Sequence, residues 1–262
     1  MFLNGILNNV DVWYGITKAE IQEFEDLDLT LLRKILQAPI STPKEAFHLE
    51  LGLIPIGVLI KAKRINYLHY LISRKESEMI SQFFWTQWHN PTKGDWTESV
   101  KLDLEDLNIS MSLEEMKGKS QDSMKKIVKV KAIEYSLESL LKKKAKHSKM
   151  DKLDYSELKL ASYFKLPGLN IRELRDIFKF RVRMSQFGEN FRGNGENVSC
   201  PLCLSHIDTQ NMMFDCPELK EKGIQKLDDS EIYTDNISVE AIKELSKILK
   251  MRKVLIEEKE EN

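Results

Sequence analysis

All three cysteines of this 262-residue chain fall within one stretch of seventeen residues: Cys200, Cys203 and Cys216. With His206 between them the pattern reads C-x2-C-x2-H-x9-C. Cys200-Pro-Leu-Cys203 sets two sulfurs on one tight turn, and His206 and Cys216 complete a set of three thiolates and an imidazole. Such a set is of the closed, tetrahedral kind that holds structural zinc, because thiolates with imidazole select zinc over magnesium or calcium. Nothing in it leaves an open coordination position, so the metal is expected to be architectural. Zinc would supply folding energy to a segment with little core of its own. The competing reading is three free thiols clustered by chance. At the fourth position the alternatives to His206 are Asp208 or a solvent ligand. His48, His69, His89 and His147 are dispersed and read as ordinary helix or loop residues.

The rest of the chain reads as helix. Only 11 Gly and 7 Pro occur in 262 residues, which disfavours a turn-rich β-sandwich, while 42% apolar residues suffice for a core. Thr17-x-x-Glu20 and Ser112-x-x-Glu115 have the form of capping boxes. Helices are expected from Thr17 to Leu36, after Pro43 as far as Gly52, from Pro55 through Leu71, from Lys75 to Trp88 and from Trp96 to Leu107. Further helices are expected from Ser123 to Lys144, from Asp154 to Phe164 and from the Asn170 cap to about Ser185. Ser238 should cap a terminal helix whose acidic end, Glu257 to Glu261, frays and stays solvated. The expected fold is therefore all-α, a multi-helix bundle with a small C-terminal zinc knuckle. The expected division is a helical region over 1–90, a basic connector over 91–192, and the knuckle with its terminal helix over 193–262.

Charge is unevenly spread. The total is -1, yet residues 117–192 carry twenty Lys and Arg against nine Asp and Glu, net +11. Such a stretch can meet phosphates, or it can be a solvated helix face. Lys142, Lys143, Lys144, Lys146 and Lys149 crowd the end of one helix, where they would also complement its dipole. Arg181, Arg183 and Arg192 interleave with Phe180, Phe187 and Phe191, which suits phosphate contact beside base stacking. These eight residues are the nucleic-acid-binding candidates, with RNA or DNA as partner. The expectation is an aromatic core with the arginines at its rim.

No membrane or secretory signal is visible. The first ten residues lack Lys and Arg, and the most apolar window, Leu51 to Ile60, is half the length a membrane span needs. An intracellular location, cytoplasmic or nuclear, is expected, with no membrane partner. The sequons at Asn108, Asn197 and Asn236 then read as chance.

Several segments together resemble one family. Asn4-Gly-Ile-Leu-Asn-Asn-Val-Asp-Val-Trp-Tyr-Gly15 resembles the segment that follows the palm in non-LTR retrotransposon reverse-transcriptase polyproteins, and Leu27 to Leu36 (LDLTLLRKIL) and Ala46 to Pro55 (AFHLELGLIP) resemble their helical thumb. The thumb signature is Glu-Leu-Gly-x-x-Pro, here Glu50 to Pro55. Tyr67-Leu-His-Tyr-Leu71 and Lys93-Gly-Asp-Trp-Thr97 resemble the connector after the thumb. Lys146 to Met150, Phe180-Arg-Val-Arg-Met184, Asn190-Phe-Arg-Gly193 and the Cys-Pro-Leu-Cys knuckle resemble the end of such reading frames. One departure stands out: where related knuckles place a histidine before the last cysteine, this chain has Met212, and His206 would supply the imidazole. The resemblance implies a thumb, connector and knuckle region that grips a template-primer duplex beside an upstream polymerase region.

Catalysis is not expected. Polymerase chemistry needs paired aspartates on a hairpin to hold two metal ions. The one Asp-Asp pair, Asp228-Asp229, comes after Lys226-Leu227 with no aromatic residue and no strand pattern. Glu157-Leu-Lys159 and Glu218-Leu-Lys220 have a nuclease-like form that chance readily produces in so charged a chain. No Walker loop, Gly-x-Ser-x-Gly elbow or His-Glu-x-x-His helix occurs, and no small-molecule substrate is indicated. The expected function is a non-catalytic nucleic-acid-binding fragment. The alternative is a helical scaffold or protein-interaction module with a structural zinc, which a decayed element copy would also satisfy.

Overall fold

The structure, a computed structural model, describes residues 7–190, 198–224, 227 and 229–261. Among the described residues it is all-α, with isolated antiparallel bridges at Leu51–Leu160 and Ser199–Ile207 and no strand. None of its helices is long and apolar enough to cross a membrane. The chain forms two compact units, 1–30 with 53–141 and 31–52 with 142–262. Their edges fall at residues 30, 52 and 141, not at 90 and 192, because the segment carrying Glu50 packs with the C-terminal half.

The first unit holds the start of α1 (Lys18–Leu36), then α3 (Ile56–Ile72), α4 (Met79–His89), α5 (Trp96–Asp106), α6 (Leu113–Lys117) and α7 (Gln121–Lys144) as far as Leu141. Both capping boxes form. Thr17 and Glu20 bond reciprocally at the head of α1, and Ser112 and Glu115 do so at α6. Asp95 caps α5 by accepting from the Glu98 N–H at 2.8 Å. On α7 the buried residues Met124, Val128, Ala132, Ser136 and Leu140 recur every four positions, so the intervening lysines face outward. Val58, Ile65, Leu68, Ile72, Phe84, Trp96, Val100, Met124 and Val128 belong to one continuous apolar core. Within it Trp96 stands edge-on to Tyr67, ring centroids 5.7 Å apart. A buried ion pair joins α3 to α5: Arg64 donates to both Asp103 oxygens, at 2.7 and 2.9 Å.

The second unit holds α2 (Lys44–Leu51), α8 (Ile171–Arg181), α9 (Pro217–Glu221), α10 (Asp229–Ile232) and α11 (Val239–Glu260). Phe47 of α2 packs on Phe178 of α8, centroids 5.3 Å apart. α8 also lies along α11, where Ile242, Leu245 and Ile248 are buried and the Ser246 hydroxyl donates to Asp176 at 2.6 Å.

Two expected helices differ. α8 stops at Arg181 rather than Ser185 because Arg183 is left-handed (φ 52°). There the Arg183 N–H bonds Phe180 O and the Met184 N–H bonds Lys179 O, the paired bonds of a Schellman end. Residues 154–161 form no helix, and only short 3-10 turns flank them, Ser148–Met150 before and Ser162–Lys165 after. Here the chain runs beside the end of α2, where the Ala161 N–H bonds Glu50 O at 2.8 Å and Leu160 bridges Leu51. Gly52 makes this approach possible. It sits at φ 64°, and a Cβ there would lie 2.3 Å from the Lys159 carbonyl carbon. The acidic end of α11 is exposed but stays helical through Glu260. Lys259 there donates to the Leu202 carbonyl and pairs with Glu218 at 3.7 Å.

Candidate metal centre

The knuckle is built as a small hairpin. Ser199 and Ile207 bridge its arms, with the Cys200 N–H bonded to His206 O at 2.7 Å and the Asp208 N–H to Val198 O at 2.7 Å. The turn closes through Leu204, which is left-handed at φ 56° and donates to Cys200 O at 2.9 Å. The third cysteine arrives from elsewhere: Cys216 is the N-cap of α9, with Pro217 at its first helical position. These elements bring the sulfurs of Cys200, Cys203 and Cys216 within 4.8 Å of one another. Cys200 and Cys216 are buried and Cys203 is half-buried.

The donor set fits a metal ion. Two sulfurs held about 2.3 Å from a tetrahedral ion stand about 3.8 Å apart, and here Cys200 and Cys216 are 3.9 Å apart. The thiols are unequal. Burial tends to raise the Cys203 pKa, but hydrogen bonds with Ser205 and His206 outweigh it and lower it to about 6. Burial raises the Cys216 thiol to about 11, with Cys200 beside it. A cation is what allows three thiolates to share so small a space.

His206 stands close to only part of the set. Its Nδ1 lies 3.5 Å from Cys203 Sγ and 3.0 Å from the Ser205 hydroxyl, and the close cluster comprises the three cysteines without it. Asp208, the alternative, is committed elsewhere. One carboxylate oxygen accepts from the Gly188 N–H at 2.6 Å, and the other accepts from Arg252 at 2.6 Å.

The candidate phosphate ligands are dispersed. Lys142, Lys143 and Lys146 are exposed; Lys144 is half-buried, its ammonium 6.0 Å from the centre of the Tyr155 ring. Lys149 is also half-buried and donates to the Asn190 side chain at 2.8 Å, and burial lowers its pKa. Arg183 pairs with Glu189 at 3.1 Å. Arg192 and Phe191 lie outside the described residues. Arg181 overturns the expectation of a basic rim, since it is only 2% exposed. Phe180 and Phe187 are equally buried, so the aromatic core is real and offers no face to a base.

Arg181 is inside because Glu50 is inside. Glu50 is fully buried and accepts from the Tyr155 and Tyr163 hydroxyls, each at 2.6 Å, and from Arg181 at 3.1–3.3 Å. Arg181 also donates to the carbonyls of Ile232 and Thr234 at 2.7 and 2.8 Å. Burial, then the nearby carboxylate, holds both phenols well above the ordinary tyrosine range, so they remain donors. Burial opposes the Arg181 charge, but Glu50 outweighs it and raises its pKa. This network gives Glu50-Leu51-Gly52 a physical meaning: a carboxylate for the core, and a glycine for the close pass beside it. The sequence signal was present, a lone Glu between Leu49 and Leu51 in an apolar run.

No family model matches the chain, and neither does any curated protein or solved structure.

Proposed function

We propose that the protein is a non-catalytic nucleic-acid-binding module stapled by a structural zinc ion, of the kind found in the thumb, connector and knuckle region of non-LTR retrotransposon reverse transcriptases. The observation that carries the reading is the three-sulfur cluster, sized for one tetrahedral ion and built into the more basic of the two units. Cys200, Cys203 and Cys216 hold the ion, with His206 completing the set after a small movement of its ring. The zinc does no chemistry here; it fixes the hairpin arms against α9. The chain's lysines, Lys142, Lys143 and Lys146 among them, meet phosphates of RNA or DNA. An upstream polymerase region is the partner that the resemblance suggests.

A second reading, a helical interaction scaffold, draws on α4. Its Met79 and Phe83 are 72% and 69% exposed, with Ile80 beside them. One pair of measurements separates the two. Zinc-loaded protein should contain one equivalent of metal and should shift a labelled strand in a salt-dependent manner. Metal-free protein after expression with ample zinc would refute the staple. Salt-independent or absent binding would hand the function to the scaffold.

A further inference from the structure

Beside the knuckle the second unit carries a cleft of about 840 Å³, within the size range of ligand pockets. One wall is α8, with Arg172, Arg175 and Lys179; the other is α11, with Lys250, Arg252 and Lys253. The end is closed by Val198, Ser199 and Pro201 of the knuckle hairpin. Six basic side chains line it against four acidic ones. Two of the acids are already engaged. Asp208 is held by Arg252 and the Gly188 N–H, and Asp176 accepts from Ser246. The other two, Glu257 and Glu260, sit on the last turns of α11, where Glu257 pairs with Lys253 at 3.5 Å, and Asp176 lies 3.9 Å from both Arg172 and Lys179; six cations against four acids still leave the cleft a cationic excess, with Lys250 outside these pairs.

Two features say what kind of anion would fit. Val198, Pro201, Leu249 and Ile256 give the lining apolar surface as well as cations. Ser185, 6% exposed and part of the lining, has a buried hydroxyl with no hydrogen-bond partner. Cations together with apolar surface suit a chain that carries both phosphates and flat bases with free faces. A duplex hides those faces, and a simple polyphosphate has none.

We propose that this cleft is a track for single-stranded nucleic acid, with Arg172, Arg175, Lys179, Lys250 and Lys253 meeting the backbone and the metal-ordered hairpin forming its end wall. The proposal rests on the nucleic-acid reading above and moves the principal contacts away from the lysines at the end of α7. It also makes metal and strand binding interdependent, because the hairpin that holds the metal is a wall of the track.

The test is fluorescence anisotropy of a labelled oligothymidylate, titrated across salt, with zinc-loaded full chain. The variant R172Q/K250Q/K253Q changes three exposed side chains, and its zinc content and circular dichroism should match the parent. Its salt slope should fall by roughly two units, at about 0.7 per lost single-strand contact. The single variant K250E, which alters one exposed side chain only, should weaken binding in the same direction. A triple variant that binds like the parent, while K142Q/K143Q/K146Q loses binding, would overturn the track and leave the proposed function standing. A parent chain with no salt-dependent binding would overturn the proposed function itself. Inorganic polyphosphate or duplex competing as well as unlabelled strand, phosphate for phosphate, would overturn the single-strand assignment.

Discussion

The two units solve the same problem with different materials. The first closes around a continuous apolar core, from Ile65 and Phe84 through Trp96 to Met124 and Val128, with one buried ion pair, Arg64–Asp103, between two of its helices. The second also has apolar contacts, but its non-helical stretches are held by buried polar anchors. Glu50 gathers Tyr155, Tyr163 and Arg181; Asp208 gathers Gly188 and Arg252; Gln210 donates to Phe180 O and the Tyr233 hydroxyl, each at 2.7 Å. Dispersed apolar packing degrades gradually when one side chain is trimmed. A buried charge does not, because its partner is left uncompensated. The second unit should therefore be the more brittle.

The largest effect expected concerns the metal. Structural zinc sites contribute on the order of 10 kcal/mol of binding free energy at neutral pH. Stripping zinc with a chelator, or changing Cys203 to Ser, should loosen residues 198–224 in hydrogen exchange and leave the α3–α5 amides of the first unit protected. Loss of protection in both units would erase the contrast. The metal should also leave on acidification. Cys216, raised to about 11, must give up its proton to bind, so affinity grows with rising pH and falls as protons compete. Metal retained in strong acid would argue against thiolate ligands.

Next in size is the network around Glu50. Arg181→Met leaves a buried carboxylate without its cation and should cost about 3–5 kcal/mol. Tyr163→Phe removes one neutral donor and should cost about 1–3 kcal/mol. In the first unit Ile65→Ala should cost about 2–5 kcal/mol through lost contacts and the cavity left behind. Denaturant unfolding measures all three. If Arg181→Met proved milder than Tyr163→Phe, the charge-based account of brittleness would fail.

The smallest effect is at the α5 cap. Asp95→Ala should cost about 1 kcal/mol. Burial pushes the Asp95 carboxyl upward, but bonds from the Glu98 and Thr92 amides outweigh it and leave it below the usual range. Its contribution is thus present above the ordinary aspartate range near pH 4 and fades as acid protonates the folded form. The variant should lose this part of the acid sensitivity of thermal unfolding.

Much of this was legible in the residues. Capping boxes, the Asn170 and Ser238 caps and four-residue apolar spacing are local signals, and the helices they announce form with small shifts at their ends. The cysteine spacing announced the cluster for the same reason. What failed was long-range. Arg181 and Phe180 look alike to a reader of local pattern whether they face solvent or core. Only Glu50, 131 positions away in sequence, decides it. The stretch 154–161 had helical composition, but its backbone groups found partners in the end of α2. The division at residues 90 and 192 tracked composition, while the chain's packing returns residues 31–52 to the C-terminal half.

That return has a consequence in time. A chain made from its N-terminus has every part of the first unit once residue 141 is out, and can bury that core at once. Residues 31–52 cannot join it. Their Phe47 waits for Phe178, and their Glu50 waits for Tyr155, Tyr163 and Arg181, whose guanidinium in turn needs the carbonyls of Ile232 and Thr234. Until residue 234 has been made the segment should therefore lack the partners that bury it, and its Glu50 side chain should stay in water. The same side chain that should make the finished unit brittle should thus resist burial in the unfinished chain, where an apolar residue at position 50 would accept any apolar partner.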